Sequence, residues 1–284
     1  MKESFARRLI RWQRCHGRHH LPWQGTRDPY RIWVAEIMLQ QTQVATVIPY
    51  YEHFLARFPD VQTLAAASEE EVLAHWSGLG YYARGRNLHR AARLVVERHA
   101  GSFPADPRSL AALPGMGRST AAAVAVFAFG VRAAILDGNV RRVLARHAGV
   151  AGWPGEKSVE ETLWGIAEAR LPEREVEAYT QGLMDLGAMI CTRRPACERC
   201  PVAEDCVARR EGRTGELPHP RPAKTLPQRQ AAALVLLAAQ CVLLEKRPPT
   251  GVWGGLWSVP EGPLEETPAA AARRLGFTAE LWLE

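Results

Sequence analysis

At 284 residues and 31.5 kDa, with 47% hydrophobic and 23% charged residues, the chain is too long for one small module and too apolar to be disordered throughout. No apolar run approaches the ~18 residues that a bilayer crossing needs, and the opening Met-Lys-Glu-Ser-Phe-Ala-Arg-Arg has no signal-peptide core, so a cytoplasmic protein is expected. The net charge is +6; residues 230–284 hold four basic and six acidic side chains, leaving +8 on the first 229, which permits a polyanionic partner without proving one.

Up to Thr214 apolar residues recur at three and four, with Pro or Gly every ten to twenty, a helical texture almost without strand signals. The pattern predicts helices over 33–47, 72–76, 86–99, 117–129, 140–146, 159–170 and 175–189. Pro218, Pro220, Pro222 and Pro227 then mark an extended linker over 215–229. Beyond it the short apolar runs 232–237 and 241–245 read as a strand pair, and an Ala-rich helix is expected after Thr267. The predicted organisation is a helical region over 1–214, a linker over 215–229 and a small mixed region over 230–284.

Several residues could carry chemistry. In Leu113-Pro-Gly-Met-Gly-Arg-Ser-Thr, Gly115 and Gly117 sit between two helical patterns, and the unpaired N–H groups opening the second helix could hold a phosphate without reading a base. An ordinary helix corner has the same residues. Asp137, in Leu136-Asp-Gly-Asn-Val, precedes a helical run and either caps it or faces a sugar on which positive charge develops. Glu36 lies on a helical stripe with Gln40 and Gln43, a solvated face or the wall of a pocket in which burial would make it a general acid. Cys191, Cys197, Cys200 and Cys206 follow Cys-x5-Cys-x2-Cys-x5-Cys, a thiol set that suits tetrahedral zinc or an iron-sulfur cluster. The arginines 193, 194, 199, 209 and 210 around it could reach a DNA backbone or simply be solvated. His16, His19 and His20 beside Arg18 read as wet surface, and Trp12, Trp153 and Trp164 as core.

A glycine-hinged hairpin, an Asp after it and a late four-cysteine loop resemble the helix-hairpin-helix DNA glycosylase superfamily. Within it, Glu36-Ile-Met-Leu-Gln-Gln-Thr42, Gly78-Leu-Gly-Tyr-Tyr82, Leu113-Pro-Gly-Met-Gly117, Leu136-Asp-Gly-Asn139 and Met184-Asp-Leu-Gly-Ala-Met-Ile-Cys191 resemble the adenine DNA glycosylase, or MutY, family over residues 1 to about 229. The resemblance implies a mainly α fold: a six-helix barrel over about 28–136, and a cluster module formed by 1–27 and 137–214. It favours a 4Fe-4S cluster over zinc on the four cysteines, although the family usually has six residues between the first two, where this chain has five. The shorter loop loses up to ~3.5 Å of reach.

The same resemblance implies a monomer acting on double-stranded DNA, removing adenine mispaired with 8-oxoguanine or guanine after flipping it out. Glu36 would protonate the base and handle the attacking water, Asp137 would stabilise the oxocarbenium-like sugar, and Asn139 would lie near both. Gln41 and Tyr81 match residues that wedge into the opened duplex, and Trp23 and Gln181 match the adenine pocket. Leu113, Gly115, Gly117 and Ser119 match the DNA-binding hairpin. Ser119 stands where endonuclease III-like relatives carry a lysine nucleophile, so base removal without strand cleavage is expected. A bifunctional pyrimidine glycosylase and a DNA-binding factor without catalysis are the competing readings. Residues 230–284, with Gly251-Val-Trp-Gly-Gly-Leu-Trp-Ser-Val-Pro-Glu261, resemble the start of a small α+β Nudix-like domain, incomplete and without the Glu-rich hydrolase signature. An exposed sheet edge and a weakened preference for oxidised guanine are expected from it.

Overall fold

A computed structural model describes residues 3–223, 228, 230–238, 240–248 and 251–277. Positions 224–227 and 229 of the expected linker, and 278–284 of the tail, lie outside the described residues. The chain divides into two compact units, one up to Pro222 and one from Ala223.

The first unit is helical. Its helices are α1 (Phe5–His16), α2 (Pro29–Leu39), α3 (Val44–Arg57), α4 (Val61–Ala66), α5 (Glu69–Trp76), α6 (Ala83–His99), α7 (Pro107–Ala111), α8 (Arg118–Phe129), α9 (Gly138–Ala148), α10 (Lys157–Ala169), α11 (Val176–Asp185) and α12 (Val207–Arg210). Their starts are written in the sequence: Ser4, Asp28, Asp60, Ser68, Asp106 and Asp137 each accept a hydrogen bond from a backbone N–H of the turn they precede. No helix among the described residues is long and apolar enough to cross a membrane.

Two apolar cores fill this unit. One gathers residues between Leu21 and Ala128, with Trp33, Phe54, Phe58, Leu64 and Trp76 fully buried. The other joins α1 to the segment from Ile135 to Val202. Helix α8 serves both, because its alanines and valines are small on every side: Ala121, Val124 and Ala125 face the first core, and Ala122, Ala123 and Val126 the second. Trp12 and Trp164 pack in the second core, whereas Trp153 is partly exposed beneath the Arg221 guanidinium.

The helix predicted over 33–47 is two helices. The chain leaves α2 at Leu39, passes through Gln41 with a left-handed φ of 59°, and re-enters at Val44. The apolar spacing continues through the break, so periodicity alone reads one helix; a buried arginine from α6 instead takes the carbonyls that would continue it. The segment predicted over 175–189 changes geometry rather than direction, running from α11 into a π-turn over Leu186–Ile190. The wide turn brings Gly187 so close to α9 that a Cβ there would stand 2.6 Å from the Asn139 Cβ.

The second unit holds three short antiparallel ladders: β1 (Ala232–Ala233) with β6 (Glu261–Gly262), β2 (Leu237–Ala238) with β3 (Cys241–Val242), and β4 (Glu245–Lys246) with β5 (Trp257–Ser258). The two apolar runs expected to pair along their length meet only at their inner ends, since Ala232 and Ala233 pair with Gly262 and Glu261 instead. Helix α13 (Pro268–Arg274) follows Thr267, whose hydroxyl caps it. Leu234, Ala271 and Ala272 are buried, while Val235, Leu237, Val252, Trp253 and Trp257 stay exposed.

Candidate active site

A cavity of about 550 Å³ opens in the helical unit between elements of both cores. Trp23, Ile32 and Glu36 come from the loop before α2 and from α2 itself, Phe127 from α8, and Glu177 and Gln181 from α11. Most of its wall is apolar or neutral; of its two carboxyls, Glu177 pairs with Arg27 at 2.7 Å and Glu36 is buried. Burial pushes its pKa up to about 8, and the neighbouring Asp137 charge adds to the rise.

Asp137 is the N-cap of α9 and accepts the Val140 N–H at 2.7 Å. Burial also raises its pKa, but the Val140 and Asn139 N–H groups and the Arg142 and Arg141 guanidiniums oppose that rise. The two coupled acids therefore differ in kind. Among the described residues no donor holds the Glu36 anion, whereas several favour that of Asp137. Asp137 does not line the 550 Å³ cavity itself; it acts on Glu36 through space from the α9 terminus. Asn139 turns its Oδ1 to Arg142 at 2.7 Å, and Arg142 in turn donates to the Cys191 and Gly187 carbonyls.

The far wall has its own polar scaffold. Asp185, fully buried, accepts the Arg18 Nε at 2.7 Å, the Arg18 backbone N–H at 2.9 Å and the Gln181 Nε2 at 2.8 Å. Because a carboxylate only accepts, the Gln181 amide must turn its nitrogen to Asp185, which frees its carbonyl oxygen for a ligand. Trp23 is buried and meets Tyr51 edge-on at 5.4 Å. Arg18 and His19 line this cavity, so the histidine-rich stretch read as wet surface is in part the cavity's rim; His16 and His20 are exposed. Nothing near Arg18 signals this, since its partner lies 167 residues away.

Outside the cavity the remaining candidates form two groups. Gln41 and Tyr81 are exposed tips, both at positive φ (59° and 47°). The hairpin runs through α7, a turn and α8. Leu113 is buried in the first core as its anchor, Gly115 takes a φ of 76° with Asn87 packed where a Cβ would stand, and α8 opens at Gly117 with no side-chain cap. Gln40 reaches from the end of α2 to the Gly115 carbonyl and the Thr120 hydroxyl, a clamp that helical spacing assigns to the same stripe as Glu36. Ser119 Oγ accepts the Leu136 N–H at 2.9 Å, tying the hairpin helix to the residue before Asp137.

All four clustered cysteines line a second, small and mostly apolar cavity with Leu186, Ile190 and Val202. Arg146 donates to the Cys191 sulfur at 3.4 Å. Burial pushes the Cys200 thiol up to about 12, so thiolates here need a positive partner. Among the described residues no group of three or more His, Cys, Asp or Glu forms a site for a metal ion, yet four thiols facing one dry cavity are the donor set of a cluster. Arg193, Arg194, Arg199, Arg209 and Arg210 are exposed around it.

The family model for the HhH-GPD superfamily base excision DNA repair protein matches residues 34–169, and that for the NUDIX domain matches 231–284. The chain is 35% identical over 257 residues to the adenine DNA glycosylase of Buchnera aphidicola subsp. Schizaphis graminum, covering 90% of this chain and 74% of that protein. To the human adenine DNA glycosylase it is 36% identical over 334 residues, covering 98% and 60%. Among solved structures, a thermostable thymine-DNA glycosylase superposes with a TM-score of 0.66 at 30% identity, covering 73% of this chain and 95% of that one. Endonuclease III in a non-covalent DNA complex shares the fold, with a TM-score of 0.62 at 23% identity, covering 73% and 94%.

Proposed function

From the premise that the chain belongs to the adenine DNA glycosylase family, and is a base-excision DNA glycosylase of helix-hairpin-helix fold, we propose that it hydrolyses the N-glycosidic bond of adenine mispaired with 8-oxoguanine or guanine. The observation that carries the reading is the pairing of a buried carboxyl at a cavity wall, pushed up to about 8, with a second buried carboxyl whose anion is favoured by backbone N–H groups and nearby guanidiniums.

The flipped adenine enters the 550 Å³ cavity against Trp23, with the Gln181 carbonyl accepting from its exocyclic amine. Glu36 donates its proton to the base, so that the breaking C1′–N9 bond leaves its electron pair on neutral adenine. The sugar cation faces the Asp137 carboxylate. Water then adds to C1′ and gives its proton to the Glu36 carboxylate, restoring the acid. Gly115, Gly117 and the opening N–H groups of α8 hold a backbone phosphate, and Gln41 and Tyr81 fill the gap in the duplex. Glu36→Gln is expected to slow single-turnover adenine release by about 10²- to 10⁴-fold; release persisting at the wild-type rate would refute the assignment.

The chemistry is monofunctional in this reading. Ser119 has no amine with which to form an imine, and its hydroxyl is engaged by the Leu136 N–H. Borohydride added during turnover should trap no covalent protein–DNA adduct, and efficient trapping through a protein amine would overturn this. Cys191, Cys197, Cys200 and Cys206 would hold a 4Fe-4S cluster, which would supply a rigid scaffold for the loop. The exposed arginines of that loop then meet the DNA backbone.

A further inference from the structure

Arg84 is the most heavily bonded side chain outside the cavity. It is a buried guanidinium at the start of α6, and its Nη1 donates to the carbonyls of Ile37 at 3.2 Å, Met38 at 2.8 Å and Gln40. Its Nη2 donates to the Thr42 hydroxyl at 3.1 Å and to the carbonyls of Leu79 and Gly80, each at 3.2 Å. Four N–H groups thus serve six acceptors, two near the end of α2 and four on the loops that follow α2 and precede α6. The guanidinium lies 5.5 Å from the centre of the Trp76 ring and 5.5 Å from that of the Tyr81 ring, while the Trp76 indole N–H also bonds the Gly80 carbonyl at 3.2 Å.

What those loops carry gives the arrangement its meaning. Gln41 lies between Gln40 and Thr42, and Tyr81 directly follows Gly80; both are exposed, and both hold a left-handed backbone that is strained for a non-glycine residue. Such conformations persist only where the surroundings impose them. Here one rigid planar fork bonds around both, taking the Gln40 carbonyl and the Thr42 hydroxyl on either side of Gln41 and the Gly80 carbonyl just before Tyr81. A lysine could not do so, because a single ammonium on a flexible stem lacks the fixed divergence of the two Nη groups.

We propose that Arg84 is a positioning residue that sets the spacing and presentation of the Gln41 and Tyr81 tips, and through them controls how fast the duplex is opened rather than how fast the glycosidic bond breaks. The proposal rests on the proposed role of those tips as the wedge. It separates two steps that a static cavity merges: Glu36 and Asp137 act on a base already extruded, and Arg84 acts before extrusion.

The test uses the intact chain and duplexes with 2-aminopurine beside the target adenine. Arg84→Lys is expected to lower the fluorescence rise on saturating binding several-fold. It should also slow single-turnover adenine release from a mispaired duplex by about tenfold or more, yet by less than about threefold when the adenine faces an abasic-site analogue and no pair must be opened. Equal losses on both duplexes, or an unchanged fluorescence rise, would overturn the proposal, because a merely structural displacement of Glu36 through the Ile37 and Met38 carbonyls would slow both alike. Glu36→Gln should keep the fluorescence rise while losing release, so a wrong assignment of the acid shows in release alone. Should Arg84→Lys fail to fold, Thr42→Val removes one Nη2 acceptor and should shift the ratio between the two duplexes in the same direction by about two- to threefold; an unchanged ratio would sink the idea.

Discussion

The two halves of the helical unit each bring one carboxyl to the same place, and they prepare it in opposite ways. The half built around Trp33 and Trp76 delivers Glu36 from the middle of α2, where its backbone N–H is spent inside the helix and no side chain offers a proton to its oxygens. The half built around α9 and α11 delivers Asp137 at a helix start, where orphan N–H groups bond its oxygens and the charges of Arg142 and Arg141 act on it through space. Position within a helix thereby sets what opposes burial: nothing does for the mid-helix carboxyl, whereas the N-cap carboxyl has donors that favour its anion.

Removing the charge while keeping the cap should break this contrast most severely. Asparagine caps a helix about as well as aspartate, so Asp137→Asn is expected to fold with little change in stability. It would lose roughly 4 kcal/mol of attraction to a cation ~4 Å away at an effective dielectric of 20, about a thousandfold in single-turnover rate. A loss under tenfold with the fold intact would mean that the sugar cation is stabilised elsewhere.

The pH profile probes the other half. With Glu36 at about 8, the free enzyme carries its catalytic proton up to that pH, and kcat/KM should then fall by about tenfold per unit. In Asp137→Asn the residual activity should begin to fall at lower pH, since the anion that adds to the Glu36 shift is gone. The limb should remain above the ordinary 4.5 because burial is the larger cause. A limb unchanged between the two proteins would show that the acids do not sense each other.

Much of this was legible in the chain before any coordinates, though not all by the same means. The Asp137 cap was, because a cap acts locally, while the equally local caps Ser4, Asp60 and Asp106 went unread with the short or terminal helices they open. The two carboxyls were legible only as members of motifs; spacing alone left Glu36 on a polar stripe and Asp137 as a plain cap. What could not be read depends on partners far along the chain. Arg18 looked solvated because Asp185 lies 167 positions on, and α2 and α3 looked continuous because the guanidinium that parts them comes from α6. Gln40 shares the helical stripe of Glu36 but serves the hairpin turn, a division of labour that periodicity does not encode. In the second unit, strands of two residues leave too short an alternation to fix a register, and Ala232 found its partner thirty residues away.

The smallest expected effect concerns stability, and its sign follows from linkage. An unfolded Glu36 would titrate near 4.5, the folded one near 8, so between those values the folded state holds a proton that the unfolded state has released. Folding therefore loses stability as pH rises through that window, by up to about 1.4 kcal/mol per unit. Glu36→Gln keeps the shape and removes the titration. The variant should match the wild type near pH 4 and grow more stable relative to it towards pH 8, by a few kcal/mol at most, because water in the open cavity screens part of the cost. Denaturant unfolding of both proteins at several pH values would follow the difference. A variant less stable than the wild type at pH 8 would mean that Glu36 is held by donors within the cavity, and the acid would have to be sought elsewhere on its wall.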